Sequence, residues 1–136
     1  MCESSFRKLS DLMRRLVDSN PGSVTDILIS DGIYKALFVC PGACINAFAH
    51  CHRIIFVDGC HVKAQCGGVL LFASSIDGNG QVVPIAMAHV PIENSDLLRW
   101  FLQMLSRSLS LDRQDVVVVG VREKGLSGVV EDVLLV

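Results

Sequence analysis

Residues 53–63 read RIIFVDGCHVK, and the rest of the chain is organised around this stretch. Four apolar residues at positions 54–57 lead directly into Asp58 and Gly59. A continuous apolar run of strand length, without alternation, predicts a strand that is covered on both faces. A carboxylate at the carboxyl end of such a strand is where α/β sheets carry their chemistry, but Asp-Gly is also an ordinary turn dipeptide. Both interpretations of Asp58 stay open on this stretch alone.

Composition limits the class of protein. The chain has 136 residues, of which 51% are apolar, so it is long enough and apolar enough for one folded core. Charged residues near the N-terminus occupy the place of a signal peptide's apolar segment, and no apolar run reaches the length of a membrane helix. These features predict an intracellular protein without a membrane partner. The formal net charge is −2, so composition gives no support for nucleic-acid binding, which a strongly basic chain would indicate.

The cysteines allow two interpretations. Without a secretory signal, they are expected to be reduced rather than paired. The six are Cys2, Cys40, Cys44, Cys51, Cys60 and Cys66. A zinc module within residues 40–52 is one hypothesis, with Cys40, Cys44, His50, Cys51 and His52 as ligands. The spacing matches no closed four-ligand pattern, and cysteine is also a common small buried residue, so the alternative is a set of core thiols.

The first fifty residues predict a small accessory region, 1–50. Apolar residues recur at three- and four-residue steps over residues 6–17, which indicates an amphipathic helix that ends before Pro21-Gly22. Two apolar runs, 24–30 and 33–39, flank Asp31-Gly32 and predict a hairpin. Residues 43–50 then favour a short helix.

The second region, 51–136, predicts a mixed sheet with helices. Residues 69–76 and 81–90 follow the first strand as an antiparallel meander, because 77–80 is a strong turn signal. Pro84 cannot donate a ladder hydrogen bond, which predicts an edge position for the third of these strands. A helix starting near Ser95 leads to a second continuous apolar run, 116–119, predicted as a buried strand parallel to the first. Residues 123–136 favour a final helix.

The order of motifs in this region resembles the catalytic core of transposases of Mutator-like elements. The resemblance spans nearly the whole chain and is densest over residues 56–105. The shared elements are an Asp-Gly-x-His-x-Lys motif, a Gly-Gly pair, an Asp-Gly-Asn turn, a Pro-x-Ala-x-Ala strand, a Glu-Asn pair and a Trp-Phe-Leu helix. In this sequence they are Asp58, Gly59, His61, Lys63, Gly67, Gly68, Asp77 to Asn79, Pro84, Ala86, Ala88, Glu93, Asn94 and Trp100 to Leu102.

The resemblance implies an α/β, incomplete ribonuclease H-like fold, in a nuclear protein that cleaves and joins DNA strands. In that chemistry three carboxylates hold two Mg²⁺ ions, which activate the attacking oxygen and stabilise the leaving one. Asp58 matches the first carboxylate, as a catalytic and metal-binding residue. The position of the second carries Val121, and the third would lie beyond Val136. One carboxylate cannot fix two ions, so a transposase-derived domain without catalysis and without productively bound Mg²⁺ is expected.

The partners expected from the resemblance are DNA and a second copy of the chain. Lys63, Arg122 and Lys124 would lie near the mouth of the former active site and contact phosphates, with solvated surface charges as the alternative. Because the fifth strand of the fold is missing, the fourth strand is expected to expose an edge that promotes self-association. No small-molecule substrate is predicted. The alternative function is a non-catalytic module that binds DNA or protein.

Overall fold

A computed structural model describes residues 3–63, 67–92, 94–111 and 116–120 of the chain. These residues form a mixed α/β structure with one six-stranded sheet and three helices. In chain order the elements are α1 (Glu3–Ser19), β1 (Val24–Ser30), β2 (Ile33–Cys40), α2 (Gly42–Phe48), β3 (Ile54–His61), β4 (Val69–Ile76), β5 (Val82–Val90), α3 (Ser95–Leu109) and β6 (Val117–Gly120). None of the three helices is both long enough and apolar enough to cross a lipid bilayer.

The strands lie in the order β1-β2-β5-β4-β3-β6. Strands β3, β4 and β5 form the predicted antiparallel meander, and β6 lies parallel to β3 on its other side. The hairpin of β1 and β2 continues the same sheet, because β2 pairs with β5 in antiparallel orientation. The sheet therefore runs without a break from the N-terminal hairpin to β6.

Local sequence signals account for the N-terminal elements. The hairpin turn has left-handed backbone at both central residues, with φ of 54° at Asp31 and 72° at Gly32, as the Asp-Gly dipeptide predicts. The predicted α1, β1, β2 and α2 are all present within a few residues of their expected ends. Helix α3 begins at Ser95, as predicted, and its N-cap is Asn94, whose Oδ1 accepts a hydrogen bond from the Leu97 amide at 2.8 Å.

One face of the sheet carries the core. Alternate residues of β3, Ile55 and Val57, are fully buried together with the apolar stripe of α3. The buried residues of α3 are Leu98, Phe101, Leu102 and Leu105. The Phe38 ring from β2 makes edge-to-face contacts with two aromatic rings of α3, Trp100 and Phe101, at centroid distances of 6.3 and 5.8 Å. The helix thereby holds the hairpin and the meander on a common core.

The prediction that Pro84 marks a sheet edge is wrong. Strand β5 lies between β4 and β2, inside the sheet. The ladder between β2 and β5 covers only positions 87–89 of β5, so the nitrogen of Pro84 lies outside it. On the other side, the register with β4 shifts between Ala73 and Ser74, which is opposite Pro84. A short ladder and a bulge therefore accommodate the missing N–H within an interior strand.

The second face of the sheet is only partly covered by the described residues. The prediction that both continuous apolar runs form strands buried on two faces is therefore wrong. In β3, Ile54 and Phe56 are half-buried, while their neighbours Ile55 and Val57 are fully buried. In β6, Val117 is 61% exposed although Val116, directly before the strand, is buried. The apolar runs predicted the strands and their parallel pairing correctly, but the two sides of these strands are not equally buried.

We call the less covered side of the sheet the open face. It carries Ile54, Phe56, Asp58, Phe72, Met87, Val117 and Val119.

Candidate functional site

Asp58 lies in the middle of β3 and not at its end. The ladder with β4 continues beyond Asp58 for three further pairs, up to His61 opposite Val69. The Asp58 carboxylate is exposed on the open face, and its Oδ1 accepts a hydrogen bond from the Gly59 amide at 2.9 Å. The strand extends this far because β4 supplies ladder partners for each residue up to His61. A turn at Asp58-Gly59 is therefore excluded.

The surroundings of Asp58 are apolar. Its cross-strand partner is Phe72, which is 40% exposed, and the next residue in that row of the sheet is Met87. On the other side, β6 approaches β3 in parallel, and Gly120 is the register partner of Val57, directly before Asp58. The described end of β6 thus lies beside the residue that precedes the carboxylate. The topology brings together the two strand positions that the sequence predicted to meet.

The described residues do not fit a two-ion Mg²⁺ site. Each Mg²⁺ takes six oxygen ligands and is bound through one or two carboxylates together with waters and substrate phosphates, so two ions need more carboxylates than Asp58 alone. Among the residues that the structure describes, no three of the types His, Cys, Asp and Glu lie close enough to share a metal ion. Asp58 has Phe72 across the ladder and no second carboxylate in its row of the sheet. This part of the chain supplies one ligand and no more.

Of the three predicted phosphate contacts, the structure describes only Lys63. Its side chain is exposed, two residues after the last residue of β3. The amide of the preceding residue, Val62, donates to the Gly68 carbonyl oxygen at 2.9 Å, which ties this segment to the start of β4. Arg122 and Lys124 lie outside the described residues, as do Val121 and the predicted final helix. Lys63 and Asp58 are therefore the two predicted site residues that can be located.

The cysteines and histidines of residues 40–52 do not converge on a common point. Cys40 is buried in β2, where its Sγ donates to the Ile85 carbonyl oxygen at 3.5 Å, and the Cys51 Sγ donates to the Ala47 carbonyl oxygen at 3.4 Å. Burial, together with the nearby Cys44 thiol, raises the pKa of Cys40 from 9.0 to about 12. Burial also raises the pKa of Cys44. Among the described residues no three such side chains lie close enough to share a metal ion, and the Cys40 and Cys51 thiols already donate to backbone carbonyl oxygens, which favours the core interpretation over the zinc module.

A buried serine supports the strand that carries Asp58. Ser75 of β4 is fully buried, and its Oγ lies 2.6 Å from the Ile54 carbonyl oxygen and 3.1 Å from that of His52. The His52 amide donates in turn to the Ile76 carbonyl oxygen at 2.8 Å. These contacts fasten the start of β3 to the end of β4. The sequence offered a signal for this role, since Ser75 occupies an inward position in the alternation of β4.

A second polar contact was not predicted from the sequence. The ring of His89, in β5, contacts Tyr34 of β2 and the backbone of Gly67, two residues before β4. No local pattern relates residues 55 positions apart in the chain, so only the folded sheet reveals this contact.

Comparisons with known proteins identified no relative. No protein-family model, no curated protein and no solved structure matches this chain.

Proposed function

We propose that this chain is a transposase-derived domain with a ribonuclease H-like core, which contacts DNA in the nucleus without cleaving it. The observation that carries the proposal is the sheet order β5-β4-β3-β6, an antiparallel meander whose first strand bears Asp58 and has a parallel fourth strand beside it. This is the arrangement that the motif resemblance predicts. The motif set and the strand order are separate properties, and both support the same origin.

The loss of cleavage follows from the ligand count. Asp58 corresponds to the first metal-binding carboxylate, and the residue that follows Gly120 in the sequence is Val121, where the transposase pattern has aspartate. The valine side chain has no oxygen to offer a metal ion, and a single carboxylate does not fix two ions for an in-line displacement. On this proposal, Asp58 is retained from the metal site of an ancestral transposase and has no catalytic role in this chain.

A nicking assay on supercoiled DNA tests the absence of catalysis. The wild-type chain, Asp58→Ala and Val121→Asp are incubated with Mg²⁺, and relaxed circles are quantified against a buffer control. We expect no nicking by any of them, because the described residues offer Asp58 as a single metal ligand and Val121→Asp adds just one further carboxylate, too few to fix two ions. Nicking by the wild type that disappears in Asp58→Ala contradicts the proposal.

DNA contact is tested through its salt dependence. Each phosphate contact adds about 0.9 to the slope of log K against log salt for duplex DNA, so Lys63→Ala is expected to reduce the slope by roughly one. Lys35→Ala is the matched control, because Lys35 is also exposed but lies in β2. Equal slopes for the wild type and both variants contradict a phosphate contact at Lys63.

Self-association is a second candidate function, favoured by the exposure of β6. Among the described strands, β6 pairs with β3 alone, and Val117 is 61% exposed on the open face. An edge strand with exposed valines can pair with another chain. Val117→Lys is expected to shift a sedimentation profile toward monomer at tens of micromolar, roughly the range in which exposed apolar edges associate. Val82→Lys is the control, because Val82 is 70% exposed but lies at the start of β5. A monomeric wild type at that concentration contradicts this candidate.

A further inference from the structure

The His89 ring lies between two partners from distant parts of the chain. Its Nδ1 is 2.9 Å from the Tyr34 hydroxyl, and its Nε2 is 3.0 Å from the Gly67 carbonyl oxygen. The rings of Tyr34 and His89 are stacked, with centroids 6.0 Å apart and planes inclined by 25°. Neither contact belongs to a strand ladder. Side chains therefore add a link between the N-terminal hairpin and the segment before β4.

The chemistry of the partners fixes the direction of both hydrogen bonds in the neutral ring. A carbonyl oxygen only accepts, so the Nε2 of His89 must carry the hydrogen and donate to Gly67. The Nδ1 of the neutral ring is then an acceptor, and the Tyr34 hydroxyl donates to it. The arrangement thus selects one tautomer of His89.

The backbone is irregular at both ends of this link. In the hairpin ladder Leu28 pairs with Ala36 and Ile29 pairs with Tyr34, so Lys35 is left without a ladder partner. Such a bulge changes the direction in which a neighbouring side chain points. At the other end, Gly68 has a φ of +86°, and a Cβ there would lie 2.5 Å from the Val90 carbonyl oxygen and 2.7 Å from the His89 Nε2. Only glycine permits this approach.

We propose that Tyr34, His89 and Gly67 form a latch that couples the hairpin β1–β2 to the carboxyl end of β3. The coupling continues from Gly67 to Gly68, whose carbonyl oxygen accepts the hydrogen bond from the Val62 amide at 2.9 Å. Val62 directly precedes Lys63. Tyr34 and His89 are therefore positioning residues for the segment that carries Lys63. The further step, that this position serves a phosphate contact, rests on the proposed function.

Amide hydrogen exchange of Val62, followed by NMR, tests the coupling. Tyr34→Phe removes one hydroxyl group and leaves the ring stack, and His89→Leu removes both hydrogen bonds. Each variant is expected to speed exchange at Val62 roughly two- to tenfold, the range that the net contribution of one hydrogen bond gives. His50→Leu is the matched control, because His50 is exposed. Unchanged exchange at Val62 in both latch variants overturns the proposal.

Two further readouts distinguish a latch from a general structural role. The ring nitrogen spectrum of His89 is expected to show a protonated Nε2 and an unprotonated Nδ1, and the opposite tautomer overturns the assignment. Tyr34→Phe is expected to have no further effect on Val62 in the His89→Leu background, because both residues act through the same link. Additive effects would mean that Tyr34 and His89 act separately, which also overturns the latch.

A DNA-binding measurement distinguishes a failure of the latch from a failure of the proposed function. If the wild type binds DNA, Tyr34→Phe is expected to lower the salt slope in the same direction as Lys63→Ala. An unchanged slope in a variant with faster Val62 exchange overturns the positioning of Lys63 while the coupling stands. If the wild type does not bind DNA, the proposed function fails, and the latch is judged from hydrogen exchange and the tautomer alone.

Discussion

Asp58 and Phe72 face each other across the β3–β4 ladder, so the one carboxylate expected to bind metal lies opposite an aromatic ring. Phe72 is 40% exposed and is followed in the same row by Met87. Apart from the local hydrogen bond from the Gly59 amide, the carboxylate gains little from its apolar neighbours in this row, and aspartate is unfavourable within strands. Stability of the sheet therefore does not explain the presence of Asp58, whereas the descent from a metal site that we propose would account for it.

Replacement of Asp58 by a strand-forming residue is expected to stabilise the protein. Asp58→Val should raise the free energy of unfolding by several tenths to about 1 kcal/mol, because valine suits a pleated, half-covered surface. Urea denaturation measures the change. Cys60→Val, at an exposed position two residues along the same strand, controls for added bulk. A loss of stability in Asp58→Val would reveal a stabilising interaction of the carboxylate.

Removal of the Ser75 hydroxyl is expected to weaken the start of β3. Ser75→Ala leaves the carbonyl oxygens of His52 and Ile54 without this buried donor, which should cost about 1–3 kcal/mol. Ser74→Ala is the matched control, since Ser74 is the next residue toward the N-terminus and is half-buried on the open face. Chemical denaturation compares the two variants, and equal stabilities would contradict a structural role for the Ser75 hydroxyl.

A side chain at Gly68 is expected to disrupt the junction before β4. Gly68→Ala places a Cβ on left-handed backbone, which alone costs about 1–3 kcal/mol, and adds the clash with the Val90 carbonyl oxygen. Thermal unfolding should show a clear loss of stability. Gly78→Ala provides the comparison, because a Cβ at Gly78 meets nothing within 4 Å. A change within about 0.5 kcal/mol is expected there, and a similar small change at Gly68 would contradict the close approach.

The buried Cys40 thiol is expected to make stability fall in alkaline solution. Burial raises the pKa of Cys40 from 9.0 to about 12, so the unfolded chain releases this proton at a lower pH than the folded one. The contribution is complete below the unfolded value, and it is lost as the pH rises from about 9 toward about 12. Urea unfolding at several pH values in this window measures the slope. Cys40→Ala is expected to be less stable throughout but to show a shallower decline, and parallel curves would contradict the linkage.

The secondary structure was largely predictable because its signals are local. Asp31-Gly32 fixed the hairpin turn, the apolar periodicity of residues 6–17 predicted α1, and the two continuous apolar runs predicted β3 and β6 as parallel neighbours. The predictions that were wrong concern the position of a strand in the sheet and the burial of its two faces. Both properties depend on what lies beside the strand. Pro84 was assigned to an edge because its own chemistry forbids one hydrogen bond, but the extent of the β2 ladder is decided elsewhere in the chain.

The helices and strands, their order, and the motif set that gives Asp58 its candidate role could all be predicted from the sequence alone. Those properties depend on residues close together in the chain, where backbone preference and hydrophobic period act directly. Three further features are visible only in the folded chain: Asp58 lies mid-strand opposite Phe72, the Ser75 hydroxyl binds the start of β3, and His89 contacts both Tyr34 and Gly67. These contacts join residues distant in sequence, and they form only when long-range strand pairing has set the register.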